Sequence, residues 1–130
     1  MKKSINVVGA IIENDYQEIL CALRSTAMNL PNLWEFPGGK INNGESQSEA
    51  LEREIREELL CGIEVLTPFD DITHEYEKMI VRLITYKCKL IEGTPTATEH
   101  AKLVWLKREN LGSLVWAPAD VPTVNKLMTE

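Results

Sequence analysis

What most constrains this chain is residues 38–60, where two glycine-bearing turns, Gly38-Gly39 and Asn43-Gly44, feed a run without Gly or Pro that lasts until Gly62. Good helix formers fill nearly all of that run, so it predicts a loop leading into a helix. Each helical residue turns by about 100°. With Leu51 at zero, Ile55 falls at roughly +40° and Leu59 at roughly +80°, which makes an apolar stripe. Glu58 falls at about −20°, Glu54 at about −60° and Glu57 at about −120°. Two acids therefore border the stripe, while Glu49, Arg53 and Arg56 take the far side.

Acids and bases three or four residues apart form pairs on a helix surface. Glu49 has Arg53 and Glu52 has Arg56, whereas Glu54 and Glu58 have no base at those spacings. Half-buried carboxylates crowded together either take up protons or attract a cation. Oxygen-only ligands suit magnesium or manganese. Spacing alone equally allows an ordinary solvated acidic face.

The chain has 130 residues, expected to form one domain over 1–130 with a buried core. Its 44% hydrophobic and 26% charged content is that of a soluble globular protein. The net charge of −6 argues against a nucleic-acid polymer as partner, which would call for a basic stripe. A small anionic substrate would need a metal or an arginine to offset that charge. No apolar run reaches the roughly 18 residues of a membrane span, so the expected location is the cytoplasm, away from membranes. Cys21, Cys61 and Cys88 are odd in number and contain no C-x-x-C pair, so reduced thiols are expected. His74 and His100 do not complete a zinc set with them.

Residues 5–12 form a near-continuous apolar run, expected to be a strand buried on both faces, and 18–24 its hairpin partner. Residues 33–39 form a short strand that Pro37 ends, since proline cannot donate to a ladder. Beyond the helix, 63–69, 72–76, 79–90 and 102–106 are expected strands, and 108–111 a turn of helix interrupted by Gly112. A terminal helix over 121–128 would bury Val121, Val124, Leu127 and Met128, with Asp120 as its N-cap and Pro122 in its first turn. Strands flanking two helices predict an α/β fold with helices layered on a mixed sheet.

Gly39, five residues, Glu45, seven residues and then Arg53-Glu54-Ile55-Arg56-Glu57-Glu58 resembles the Nudix box, G-x5-E-x7-R-E-U-x-E-E-x-G-U with U apolar. Six spaced identities are far more specific than a lone glycine motif. One position departs, with Leu60 standing where the family has Gly.

The resemblance covers nearly the whole chain. It implies the Nudix α/β/α sandwich and a metal-dependent nucleoside triphosphate pyrophosphohydrolase that releases a nucleoside monophosphate and pyrophosphate. It further implies magnesium or manganese on Glu54, Glu57, Glu58, Glu99 and the Gly38 carbonyl. Glu54 or Glu99 would take the proton from water, Arg53 would orient the glutamates, and Gly39 and Glu45 would shape the loop. Arg24 resembles a phosphate-holding residue of MutT-type members, Phe36 borders the base there, and Asp120 matches the position of a base-reading Asn. The Pro118-Ala119-Asp120 sequence is similar to that of CTP-pyrophosphohydrolase-like members. The expected partner is therefore a small nucleotide, CTP, dCTP or a modified relative, with a protein that is monomeric or homodimeric. An oxidised dGTP, a nucleoside diphosphate derivative, or a non-catalytic sensing role are the alternatives. His100 is expected to be structural.

Overall fold

A computed structural model describes residues 2–130. One seven-stranded mixed sheet runs in the order β3 (Trp34–Glu35), β2 (Glu18–Leu23), β1 (Lys3–Glu13), β6 (Met79–Glu92), β5 (Gly62–Glu75), with β4 (Gly38–Lys40) added on β1 and β7 (Lys102–Lys107) on β2. Its central strand β1 (Lys3–Glu13) pairs in parallel with β6 (Met79–Glu92) and antiparallel with β2 (Glu18–Leu23). Alternation along β1 divides the core between the two faces. Val8, Ala10 and Ile12 join Leu51, Ile55 and Leu59 of helix α1 (Gln47–Leu59). Ile11 lies with Phe36, Trp116, Val124 and Leu127 beneath helix α2 (Val121–Met128). Strand β7 (Lys102–Lys107) serves both faces, Leu103 and Trp105 on the first and Val104 and Leu106 on the second. The result is the expected α/β/α sandwich. No helix among the described residues is long and apolar enough to cross a membrane.

Several local expectations change. Pro37 splits the expected 33–39 strand into β3 (Trp34–Glu35) and β4 (Gly38–Lys40), so Gly38 and Gly39 lie in a strand paired with Gly9 and Val8 rather than in a turn. Residues 62–75 form one strand, β5 (Gly62–Glu75), because two bulges absorb Leu66 and Phe69 while the ladder to β6 continues. The turn of helix at Arg108–Ser113 is 3-10 and runs through Gly112. Helix α2 buries Thr123, Val124 and Leu127, while Val121 and Met128 are about two-fifths exposed. The three cysteines are free thiols, all buried.

Helix α1 starts with a capping box: Ser46 Oγ accepts from the Glu49 N–H, and the Glu49 side chain accepts from the Ser46 N–H. Glu49 is thus spent on the cap, and Arg56 pairs with Glu92, so neither expected i, i+4 pair forms. At the other end Leu60 adopts the left-handed conformation, φ 56° and ψ 35°. That explains the family's glycine at this position, since a side chain there is strained.

Candidate active site

Strand β4 lies tightly against both β1 and helix α1, and its two glycines permit it. A Cβ on Gly38 would stand 1.9 Å from the Val8 carbonyl oxygen, and one on Gly39 would stand 2.1 Å from Glu54 Oε2. Glu54 therefore rests directly on the backbone of the strand that carries Gly38. Beside it Arg53 organises three acids. Its Nε and Nη2 donate to the two oxygens of Glu45 at 2.6 and 2.9 Å, and its Nη1 donates to Glu54 at 2.7 Å and Glu57 at 3.3 Å. Nη2 also reaches the Lys40 carbonyl at 3.1 Å, tying loop to helix. The expectation that Glu54 lacks a base is corrected by this geometry. The long guanidinium folds back over the loop and reaches a neighbour that helix-surface spacing does not pair with it.

Glu58 has no such partner. Burial pushes its carboxyl up to about 7, the charges of Glu54, Glu35 and Glu99 add to the shift, and His100 opposes it. Its Oε1 is buried with no hydrogen-bond donor. The loop bearing Glu99 is fastened to this end of the helix: Thr96 N–H donates to the Leu59 carbonyl at 2.9 Å, and Thr98 Oγ1 to the Glu58 carbonyl at 2.6 Å. Glu57 and Glu99 themselves are exposed. Among the described residues, no three His, Cys, Asp or Glu side chains converge on one point to hold a metal ion. The expected set of Glu54, Glu57, Glu58 and Glu99 is thus brought to one end of one helix but not closed into a cage. Like charges repel, and Arg53 draws Glu54 and Glu57 to itself. The orphaned oxygen of Glu58 and the all-oxygen donor set nonetheless fit a hard divalent cation.

A second cluster lies next to this one, built on the two-residue strand β3. Glu35 accepts from Arg24 Nη1 at 2.6 Å on one oxygen and bonds His100 Nε2 at 2.8 Å with the other. Arg24 Nε also donates to the Asn29 carbonyl at 2.5 Å. The Arg24 fork, expected to face phosphates, is instead engaged with a carboxylate. One residue on, the Phe36 N–H donates to Asp120 Oδ1 at 3.1 Å, and the Phe36 ring stacks on Trp116 with centroids 4.8 Å apart. Asp120 is not a side-chain cap: it makes no cap hydrogen bond and its backbone is already helical. Burial first, and then the Glu35 charge, push its carboxyl up to about 8. The Ala119 N–H donates to the Tyr76 hydroxyl at 3.0 Å, which fixes the Pro118–Asp120 turn to the end of β5.

Sequence reasoning missed Glu35 and Tyr76 in this cluster and gave His100 only a structural place. An acid between two aromatic residues, Trp34 and Phe36, is the one signal that could have exposed Glu35. Nothing local marks Tyr76.

A model of the NUDIX domain matches residues 7–126. The chain is 41% identical over 128 residues to the CTP pyrophosphohydrolase of Escherichia coli, covering 97% of this chain and 93% of that one. It is 30% identical to the 8-oxo-dGTP diphosphatase of Haemophilus influenzae, across 99% of this chain and 95% of the other. The solution structure of a MutT protein, family Nudix hydrolase, from methicillin-resistant Staphylococcus aureus is similar at a TM-score of 0.79 and 55% identity, covering 99% of this chain and 98% of that chain.

Proposed function

The chain belongs to the NUDIX family and is a Nudix hydrolase, and on that footing we propose that it cleaves a cytidine triphosphate, CTP, dCTP or a modified form, to the monophosphate and pyrophosphate. The observation that carries the metal-dependent cleavage is Glu58: a half-buried carboxylate with an orphaned oxygen, next to a second carboxylate pressed against β4. An unpaired buried charge costs stability unless a cation meets it, so this end of α1 is built for one.

Glu54, Glu57, Glu58, Glu99 and the Gly38 carbonyl are the residues that would hold magnesium or manganese. When bound there, a divalent cation supplies neutralising charge and Lewis acidity to a polyphosphate. The chain's own groups do the rest. Arg53 holds Glu54 and Glu57 in fixed orientation, and Glu45 holds Arg53. Glu54 or Glu99 receives the proton of the attacking water. Gly39 leaves the space in which Glu54 sits.

On the other side, Asp120 addresses the base, with the Phe36 ring packed on Trp116 next to it. A neutral carboxyl both donates and accepts. The Phe36 N–H claims Oδ1 as acceptor, which leaves the proton to Oδ2. That fixed order suits the N3 acceptor and the amino donor of cytosine and opposes the reversed order of uracil. The name of the Escherichia coli relative supports the same choice. Guanine, with two adjacent donors, suits an ionised Asp120, so an oxidised dGTP is the second reading, supported by the name of the Haemophilus influenzae relative.

A panel of nucleotides with magnesium, assayed for pyrophosphate and for phosphate, tests the proposal. Pyrophosphate release that is fastest from cytidine nucleotides is the expected result. Phosphate release alone, or turnover only of diphosphate derivatives, would replace it.

A further inference from the structure

We propose that His100 is a positioning residue that sets nucleobase selectivity by holding the Glu35 carboxylate in place between the metal side and the base side of the site. This rests on the nucleotide reading above. Three observations carry it. The His100 side chain is completely buried, so no solvent competes for its bond to Glu35. Glu35 is gripped on both oxygens, by His100 at 2.8 Å and by Arg24 at 2.6 Å, so its carboxylate has one orientation. The residue after Glu35 donates its N–H to Asp120, so a shift of β3 moves both acids at once.

A role in stability alone does not explain the arrangement. An imidazole and a carboxylate buried together give no more stability than well-packed apolar side chains of the same volume. Among the described residues Nδ1 meets no protein group, so Glu35 is the one protein partner of the ring. Because an ionised carboxylate only accepts, the bond to Glu35 assigns the proton to Nε2. The ring therefore donates toward the base side from a loop that is fastened to the end of α1, beside Glu58 and Glu99. His100 thus spans the two clusters that the sequence gives no reason to connect.

Two variants separate positioning from folding. His100→Gln keeps an N–H donor at the reach of Nε2, whereas His100→Leu keeps volume and removes the donor. With His100→Leu, KM for the preferred nucleotide rises by about ten- to a hundredfold, the range expected for a lost bond to a charged group. The ratio of kcat/KM between preferred and disfavoured nucleotides shrinks by a similar factor, and His100→Gln restores most of it. Proportional losses on every nucleotide, or a failure of Gln to restore the ratio, would overturn the proposal. Nitrogen-resolved NMR of the imidazole gives an arm that needs no substrate: a protonated Nε2 whose signal shifts in Glu35→Gln is expected, and a protonated Nδ1 with bare Nε2 overturns it. A wild-type enzyme that cleaves no nucleotide on the panel would sink the substrate reading instead, and the imidazole spectrum then decides the His100–Glu35 bond by itself.

Discussion

Gly39 and Glu54 are in direct contact: a methyl group on Gly39 would overlap Glu54 Oε2 at 2.1 Å and Glu54 Cδ at 2.4 Å. Gly39 is in strand β4 and Glu54 is in helix α1, so the contact fixes how near the acidic end of the helix comes to the sheet. Alanine at position 39 would meet the flexible end of a side chain rather than backbone. We predict that Gly39→Ala leaves the fold intact and displaces the Glu54 carboxylate. A displacement near 1 Å in such a site costs on the order of a hundredfold in rate. Steady-state turnover beside a circular-dichroism melt checks this, and a variant with full activity would show that Glu54 is dispensable.

Glu58→Gln separates the ligand from the fold. The folded carboxyl is raised to about 7 from 4.5, so the native state holds a proton that the unfolded chain releases. Stability then falls as pH rises between those two values and is level above the upper one. A neutral amide avoids this loss, so the variant is expected to gain on the order of 1–3 kcal/mol at pH 7 after discounting for partial exposure, and nothing below about pH 4. Stabilisation by magnesium and most turnover should vanish with it. Denaturant melts at pH 4 and 7, with and without magnesium, test both statements. If the variant binds magnesium like the wild type, Glu58 is not a ligand.

Leu60 adopts φ 56° and is 58% exposed, so it bears left-handed strain without much burial in return. Leu60→Gly removes that strain at the cost of added freedom in the unfolded chain. A net gain of about 0.5–1 kcal/mol is expected, with activity unaffected. For a chain of this size that raises Tm by roughly 2–4 °C. A lower Tm would mean that the Leu60 side chain makes contacts that outweigh the strain.

These three predictions draw on features of different legibility. The helix, its apolar stripe and the half-buried standing of Glu54 and Glu58 followed from a 3.6-residue period, because one face of α1 must enter the core. The left-handed Leu60 was foreshadowed by the family's glycine. Glu35, Tyr76 and His100 were not legible, because each gains its role from a partner 11 to 65 positions away, and spacing within one element carries no trace of such a pairing. Asp120 failed as a cap for a related reason. Its carboxyl group is drawn to the Phe36 N–H, 84 positions distant, which the end of β3 would otherwise leave unpaired. Arg53 was misjudged in its pairing because surface rules count turns and ignore the reach of a folded-back guanidinium.

Arg24 holds Glu35, so its removal should act on selectivity as well as on binding. We predict that Arg24→Ala and Glu35→Gln are not additive in log(kcat/KM), the double variant losing less than the sum by about tenfold. Direct phosphate contact makes a different forecast: Arg24→Ala would weaken every nucleotide equally and leave the cycle additive. Measuring the four enzymes on CTP and UTP distinguishes the two.

We predict that Asp120 makes the base preference depend on pH. Its folded carboxyl stands near 8 against 3.8 for the unfolded group, so the native state carries the proton across neutral pH and loses it above about 8. Below that value the Oδ2 proton meets cytosine N3 while Oδ1 accepts from the amino group. Above it, two bare acceptors face N3, and the buried lone pairs repel. KM for CTP should therefore be level to about pH 7 and climb through pH 8, while guanine nucleotides, which offer two donors, improve over the same interval. The same proton makes stability fall with pH between about 4 and 8. Asp120→Asn keeps a donor and an acceptor without a titration, so it should retain cytidine preference, show a level KM across this range and melt higher than the wild type at pH 8. The assay is kcat and KM for CTP, UTP and an oxidised dGTP from pH 6 to 9 with both enzymes. Equal turnover of UTP and CTP at pH 7, or a wild-type KM as level as that of Asp120→Asn, would remove Asp120 from base recognition and leave it only the Phe36 backbone bond.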